Sequence, residues 1–263
     1  MTRRLKILIT AGPTREYLDP VRYLSNASTG KMGYAIAAAA AKRGHAVTLV
    51  SGPVELPAPP NVNLIRVTSA LEMLAAARRA FSNADAAIFA AAVSDWRPRK
   101  RSTRKLKKEA HAPQKINRAS TNEPRASTNE PRASARAAPE TIANRNSVSL
   151  VSSWALDLVE NPDIAATLGR LKRRPGRPAR ITIGFALETH DGRAKAAAKL
   201  RAKRFDAIVL NSPAAIAADR SAVEILMADG RRNPARTASK SSHALQIVRL
   251  LERLHIGQRP PRT

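Results

Sequence analysis

The sequence predicts an α/β fold: a mainly parallel sheet with helices on both faces. Three observations carry that prediction. Short apolar runs alternate with helix-length stretches along the 263-residue chain, the order that builds a parallel sheet through crossover helices. The run at 86–93 is apolar without a break, as a strand covered on both faces must be. A strand, a polar loop and a helix start follow one another between residues 5 and 33. That arrangement presents free backbone N–H groups and the positive end of a helix dipole to an anion.

In chain order, residues 5–10 form the first strand, and Ala11-Gly12-Pro13-Thr14 its turn. An alanine-rich helix at 31–43 stops at Gly44. Strands at 46–50 and, more weakly, 64–67 follow, then a helix at 70–82 and the buried strand at 86–93. Asn161-Pro162-Asp163 reads as a helix start for 162–173, with Asn161 as N-cap, Pro162 at the first helical position and an acid in the first turn. A strand at 181–186, a helix at 192–203, strands at 207–211 and 223–227, a turn at Ala228-Asp229-Gly230 and a helix at 242–254 complete the pattern.

Apolar residues make up 43% of the chain but aromatics only 3%, so alanine and aliphatic side chains must do most of the packing. There is no cysteine, which excludes disulfides and thiolate metal sites, and the five histidines lack metal-ligand spacing. No apolar run reaches the roughly 18–20 residues that cross a bilayer. Met1-Thr2-Arg3-Arg4 leads directly into a strand-like run, so a cytoplasmic enzyme without membrane contact is expected.

A net charge of +26 raises nucleic-acid binding. The densest stretch, 97–136, holds 13 basic and 3 acidic residues, with Trp96 alone beside it. Base-stacking aromatics are therefore missing, and any nucleic-acid binding should be nonspecific and salt-sensitive. Within that stretch Arg-Ala-Ser-Thr-Asn-Glu-Pro occurs at 118–124 and again at 125–131. One alanine and one proline per repeat cannot make a buried face, so residues 110–153 are expected to be a disordered insertion. Loop-closure entropy grows only logarithmically, so the domain can tolerate it. The expected organisation is a core in two parts, 1–109 and 154–256, around that insertion, with a tail at 257–263.

The loop at 19–33 has neither the Walker A spacing nor G-x-G-x-x-G. Ile9-Thr10-Ala11-Gly12-Pro13-Thr14-Arg15-Glu16, Asp19-Pro20-Val21-Arg22, Ser25-Asn26 and Gly30-Lys31-Met32-Gly33 instead resemble phosphopantothenoylcysteine synthetase. In many bacteria that enzyme is the C-terminal half of a bifunctional coenzyme A biosynthesis protein. The resemblance continues, with one large interruption, to about residue 230. It implies a Rossmann-like three-layer architecture, a homodimer and a small dimerisation arm at about 211–235. It also implies a ligase joining 4′-phosphopantothenate to L-cysteine. CTP transfers its nucleotidyl group to the carboxylate, pyrophosphate leaves, and cysteine displaces CMP. Mg²⁺ is the implied cofactor and no flavin is expected. Four residues before the first strand leave no room for a flavin domain, so a separate decarboxylase is the expected partner.

The same resemblance assigns site residues. Asn26 matches an asparagine that contacts the acyl-cytidylate; an amide can donate to a carbonyl and accept elsewhere. Gly12, Ser28, Thr29, Gly30 and Lys31 match the phosphate- and substrate-binding loop. Lys31 at a helix start is an unfavourable cation unless an anion is bound there. Ala91-Ala92-Val93-Ser94-Asp95-Trp96-Arg97 resembles a nucleotide-contacting segment, with Asp95 the contact. Lys105 of Lys105-Leu106-Lys107-Lys108 matches the catalytic lysine of a mobile loop, with a role in CTP binding as well. Lys115, in Gln114-Lys115-Ile116-Asn117, competes for the same match. Pro162, Asp163, Ile164 and Ala165 match a CTP-contacting helix start, Phe185 a residue beside the nucleotide, and Lys199 and Lys203 a CTP-binding pair on one helix face. Ser212 stands where the family usually has aspartate. The metal ligands are left open. Two other readings stay open: a paralogue that binds nucleotide or polyanions without turnover, and a flavin- or NAD-dependent oxidoreductase supported by fold class alone.

Overall fold

The computed structural model describes residues 3–107, 155–176, 178–212, 214 and 218–257. Its elements begin with β1 (Lys6–Ala11), a hairpin of β2 (Arg15–Tyr17) and β3 (Tyr23–Ser25), and α1 (Lys31–Lys42). β4 (Ala46–Ser51), β5 (Val62–Arg66), α2 (Ala70–Ser82), β6 (Ala86–Phe89) and β7 (Trp96–Pro98) follow. β8 (Leu158–Glu160), α3 (Ile164–Arg170), β9 (Ile181–Leu187), α4 (Gly192–Ala202) and β10 (Ala207–Asn211) continue the chain, and β11 (Arg220–Met227), β12 (Arg232–Ser239) and α5 (Lys240–Gly257) end it.

Eight strands form one sheet in the order β12-β11-β10-β9-β6-β1-β4-β5. From β10 to β5 every neighbour is parallel, and β11 and β12 add antiparallel at the other edge. The parallel strands alternate faces residue by residue. Ile7, Ile9, Ile88, Ile183 and Val209 join one core, which packs on α1 and α5; Leu8, Ala87, Phe89, Ala186 and Ile208 join the other, which holds α2, α3 and α4. Both faces are covered, which explains the uninterrupted apolar runs. Each fully buried aliphatic or aromatic side chain contributes about 1.5–3 kcal/mol.

β1 lies between the two directions of chain growth. α1 leads to β4 on one side of it, and α2 returns the chain to β6 on the other. The crevice outside the C-terminal ends of β1 and β6 is therefore the topological switch point, where open α/β sheets take ligands. Far from that crevice a buried ion cluster ties α5 to α1. Glu252 accepts from the Arg43 guanidinium at 2.7 Å and lies 2.9 Å from His45 Nε2. Leu5 N–H donates to His45 Nδ1, so Nε2 carries the ring proton toward Glu252.

Several expected boundaries move. The strand expected at 86–93 ends at Phe89, because Ala90 N–H and Ala92 N–H turn to Thr10 and Gly12 carbonyls across the chain end of β1. Asn161 is not the N-cap of α3. Asp163 is, its carboxylate accepting from Ala166 N–H at 2.9 Å, so the helix starts two residues later than expected. β12 was not signalled at all: Arg-Asn-Pro-Ala-Arg-Thr-Ala-Ser has no apolar face, and only an edge strand tolerates Pro234. β11 and β12 fall across the segment expected to be an arm.

The chain divides into two units, residues 1–104 with 157–263, and residues 105–156. In the first, β7 pairs with β8, and Arg99 N–H donates to Asp157 O, so the chain leaves and re-enters this unit at neighbouring points. Of the second, only 105–107 and 155–156 are described, without regular structure. The tandem repeats, Lys115 and nearly all of the expected insertion lie outside the described residues. Among the described residues no helix is long and apolar enough to cross a membrane.

Candidate functional site

A cleft of about 510 Å³ opens at the switch point, walled by the strand ends of β1, β6 and β9. Its floor is set by the loop after β6, which is tied down from three directions. Ala92 N–H reaches Gly12 O and Ser94 N–H reaches Thr14 Oγ1. Asn26 Nδ2 donates to Ala92 O at 3.1 Å and Val93 O at 3.0 Å. From the other side Asn161 Nδ2 donates to Ser94 O and its backbone N–H to Asp95 O. Arg97 in turn donates to Asn161 Oδ1 and Glu160 O. Two asparagines from separate parts of the chain thus hold four consecutive carbonyls, 92 to 95, and present Asp95 at the surface.

The phosphate-type loop forms one wall. Gly30 caps α1 at φ 74°, a left-handed conformation natural to glycine, and no side chain caps the helix. The first N–H groups of α1 are therefore not taken by an N-cap side chain. Gly33 lets α1 sit against β1: a Cβ there would lie 2.4 Å from Ala11 Cβ. Ser28, Thr29, Gly30 and Lys31 line the cleft; Gly12 does not, and lies behind them in the turn after β1.

The opposite wall carries the other expected residues. Pro162, Asp163, Ile164 and Ala165 line it from the start of α3, Phe185 from β9, and Lys199 and Lys203 from α4 and its C-terminal end. Each lysine is paired. Lys199 Nζ lies 2.6 Å from Glu188 Oε1 and Lys203 Nζ 2.8 Å from Asp163 Oδ2. Burial works to raise the Asp163 pKa. The Ala166 and Ala165 N–H groups and Lys203 outweigh it and hold the carboxyl below the usual range. Phe89 and Phe205 stack at 5.8 Å between ring centres and give the cleft an apolar patch.

Lys31 is also paired, with Asp219 Oδ1 at 3.0 Å. In this structure the cation at that helix start faces the chain's own carboxylate. Lys240, Asn161 and Phe205 line the cleft without having been singled out from sequence. Asn161 was read as a cap, and Lys240 as one cation among many in a basic chain. Lys105 falls in the second unit.

Four lysines and two aspartates line the cleft, and among the described residues no histidine and no cysteine does. Such a site can neutralise and orient anions; it offers no thiolate or imidazole nucleophile. Among the described residues no group of three or more histidine, aspartate or glutamate side chains could hold a metal. The donor set fits Mg²⁺ carried on substrate phosphates with one carboxylate added, the usual mode for that ion.

Similarity to known proteins agrees with this architecture. The DNA/pantothenate metabolism flavoprotein C-terminal domain family matches residues 2–123 and 136–254. The coenzyme A biosynthesis bifunctional protein CoaBC of Vibrio cholerae is 40% identical over 206 residues, 78% of this chain and 41% of that protein. Its Escherichia coli counterpart is 40% identical over 209 residues, 80% of this chain and 41% of that protein. The chain thus spans about two fifths of the length of these relatives. A crystal structure of the CoaBC C-terminal domain superposes with a TM-score of 0.68 at 31% identity, covering 95% of each chain. A Cab2 mutant in complex with phosphopantothenate-cysteine shares the fold at 15% identity, with a TM-score of 0.64 over 95% of this chain and 87% of that one. The resemblance to phosphopantothenoylcysteine synthetase read from residues 9–33 therefore holds, and the chain belongs to the DNA/pantothenate metabolism flavoprotein C-terminal domain family.

Proposed function

We propose that the chain is a CTP-dependent phosphopantothenate–cysteine ligase of coenzyme A biosynthesis. One observation carries the reading: a single cleft at the switch point is lined by Asn26, Asp95, Phe185, Lys199, Lys203 and the start of α3. These residues are separated along the chain, and each matches a position of the resembled ligase. The sharing of its fold with a protein complexed with phosphopantothenate-cysteine supports the same substrate class.

On this reading cytosine lies beside Phe185, and the triphosphate lies at Lys199, Lys203 and residues 162–165. Ser28, Thr29, Gly30 and Lys31 take the phosphate of 4′-phosphopantothenate. Its carboxylate oxygen attacks the α-phosphorus of CTP and pyrophosphate leaves. The amine of L-cysteine then attacks the acyl carbon, loses a proton, and CMP leaves. Lysine charges close to the α-phosphorus offset the charge that develops there. Asn26, fixed through its Nδ2, keeps Oδ1 for the intermediate. Mg²⁺ entering on the triphosphate would screen phosphate charge, with Asp95 as the carboxylate available to it. The protein acts as a cytoplasmic homodimer whose contacts involve the β11–β12 region, and a decarboxylase activity follows it.

The test is direct. Purified protein given 4′-phosphopantothenate, cysteine, CTP and Mg²⁺ should release equal amounts of CMP and pyrophosphate, and replacing CTP with ATP should abolish most of this. CTP binding without product would support the alternative, a nucleotide-binding paralogue, for which Ser212 in place of the family aspartate is the motivating feature. Lys105→Gln should reduce turnover far more than Lys115→Gln; the reverse would assign the loop lysine to 115.

A further inference from the structure

We propose that the end of the sheet opposite the cleft is a docking surface for the phosphate backbone of a nucleic-acid duplex, taken without regard to base sequence. The inference stands apart from the ligase reading, since none of the residues that carry it lines the cleft.

β1, β6, β9 and β10 are parallel neighbours, so their N-terminal ends share one end of the sheet. α2, α3 and α4 run back over one face and end there as well. Two cations brace that end. The Arg180 guanidinium donates to Ser82 O and Ala84 O after α2 and to Leu171 O after α3. Lys172 Nζ binds Asp206 Oδ1 at 2.5 Å and donates to Arg204 O, just past α4. The ends of three helices are thus joined into one platform. Four adjacent strands at the usual spacing make it about 15 Å wide.

The outward cations on this platform are free. Arg4, Arg170, Arg173, Arg201 and Arg204 are exposed, and among the described residues none of them pairs with a carboxylate. The helix dipole accounts for Arg170 and Arg201, which lie in the last turns of α3 and α4, at about 0.3–1 kcal/mol each. It does not account for Arg4, ahead of β1, or Arg173, in the loop beyond α3. Arg4 and Lys6 also line a recess of about 310 Å³ with the amides of Asn61, Asn63 and Asn83, which can donate to phosphate oxygens. Nor is the charge of the chain confined to residues 97–136, which supply only +10 of the net +26.

The guanidinium fork matches pairs of phosphate oxygens. Single strands are held by bases stacked on aromatic rings. The exposed aromatics among the described residues, Tyr23 and Trp96, instead follow the C-terminal ends of β1 and β6, at the cleft end. An anionic membrane calls for an outward apolar helix face, whereas α2, α3 and α4 turn theirs to the sheet. The chemistry left is that of a polyanion met through its backbone alone. At 3.4 Å per phosphate along one strand of a duplex, the platform spans about four phosphates.

The test is fluorescence anisotropy of the full chain with labelled DNA duplexes of two unrelated sequences, between about 50 and 200 mM salt. Both duplexes should bind alike. Four phosphate contacts give a log–log salt slope of about −3.6, a roughly 100-fold loss of affinity over that range. Arg173→Ala with Arg204→Ala should halve the slope, leaving a loss of about tenfold, and Arg170→Ala with Arg201→Ala should do the same. Both pairs are surface changes that should leave thermal unfolding nearly unmoved. Arg66→Ala with Arg249→Ala removes the same charge from the end of β5 and the exposed side of α5, and should leave the slope as it was. No duplex binding by the wild type at the lowest salt overturns the proposal. So does an unchanged slope in both platform pairs, which would move the contacts to the basic stretch at 97–136. An equal fall in the Arg66 and Arg249 pair would make the effect one of net charge and overturn it too. A tenfold preference for one sequence, or tighter binding to vesicles of equal parts phosphatidylcholine and phosphatidylglycerol than to duplex, would likewise contradict it.

Discussion

The two ends of the cleft hold their lysines in different ways. At the α4 end the partners are part of the framework: Glu188 is nearly buried at the end of β9, and Asp163 is at once the N-cap of α3 and the partner of Lys203. At the α1/α5 end the partner is an exposed carboxylate on the segment leading to β11. The α1/α5 layer has its own rigid anchor, the Arg43–His45–Glu252 cluster, but that lies away from the cleft. The difference teaches that the α4 end, which on the proposed ligase reading would take the nucleotide, is pre-organised at a cost in competing carboxylates, while the α1/α5 end is adjustable. Pre-organised cations spend less on reorganisation as charge develops, which suits the end where the proposed ligase reaction would put the reacting phosphorus.

Four substitutions break or sharpen this contrast. The largest effect is expected of Glu252→Gln, which leaves Arg43 and His45 without their shared anion and should cost about 3 kcal/mol in urea unfolding. Burial pushes the Glu252 pKa up, but Arg43 and His45 more than offset it, and the carboxyl sits below its usual value. Its stabilisation is therefore complete above the ordinary carboxylate range and is lost as pH falls through the lowered folded value. The difference between wild type and variant should shrink in acid. If the anchor is independent of the cleft, KM for either substrate should not change.

Lys203→Met comes next. Loss of a charge-assisted contact worth about 1.5–3 kcal/mol should lower kcat/KM for CTP roughly 10- to 100-fold while sparing KM for 4′-phosphopantothenate. A shift in the latter alone would reverse the assignment of ends. Gly33→Ala should cost about 1–3 kcal/mol by overpacking against Ala11. The displaced α1 should raise KM for the acid substrate more than for CTP.

Asp163→Asn is the mildest. Asparagine still caps a helix, and a side chain 46% exposed limits the lost pair to under about 1 kcal/mol. The lowered Asp163 pKa means that this loss, read by thermal unfolding at several pH values, is present at neutral pH and vanishes as pH falls below the carboxylate range.

Most of the sheet was legible because Ile7, Leu8 and Ile9, or Ala86 to Phe89, are buried on alternating faces and so read as unbroken apolar runs. The loop at 26–33 was legible because Gly30 and Gly33 answer backbone demands that few other residues meet. β12 was not legible, since an edge strand with one open face needs no apolar pattern. Asn161 was misread because Asn and Asp are equally good caps, and only the contact with Ser94 O, 67 residues away, removes Asn161 from the helix start. Lys240 and Asp219 were invisible for the same reason: Asp219 pairs with Lys31 188 residues away, and Lys240 comes beside that pair only in the fold.

The most direct test of the ligase reading leaves out one substrate. With 4′-phosphopantothenate, CTP and Mg²⁺ but no cysteine, the protein should release at most one pyrophosphate per site and retain the cytidylate, and added cysteine should then release CMP in equal amount. Pyrophosphate release that does not require 4′-phosphopantothenate, or CMP release before cysteine is added, would contradict an acyl-cytidylate formed and held in this cleft.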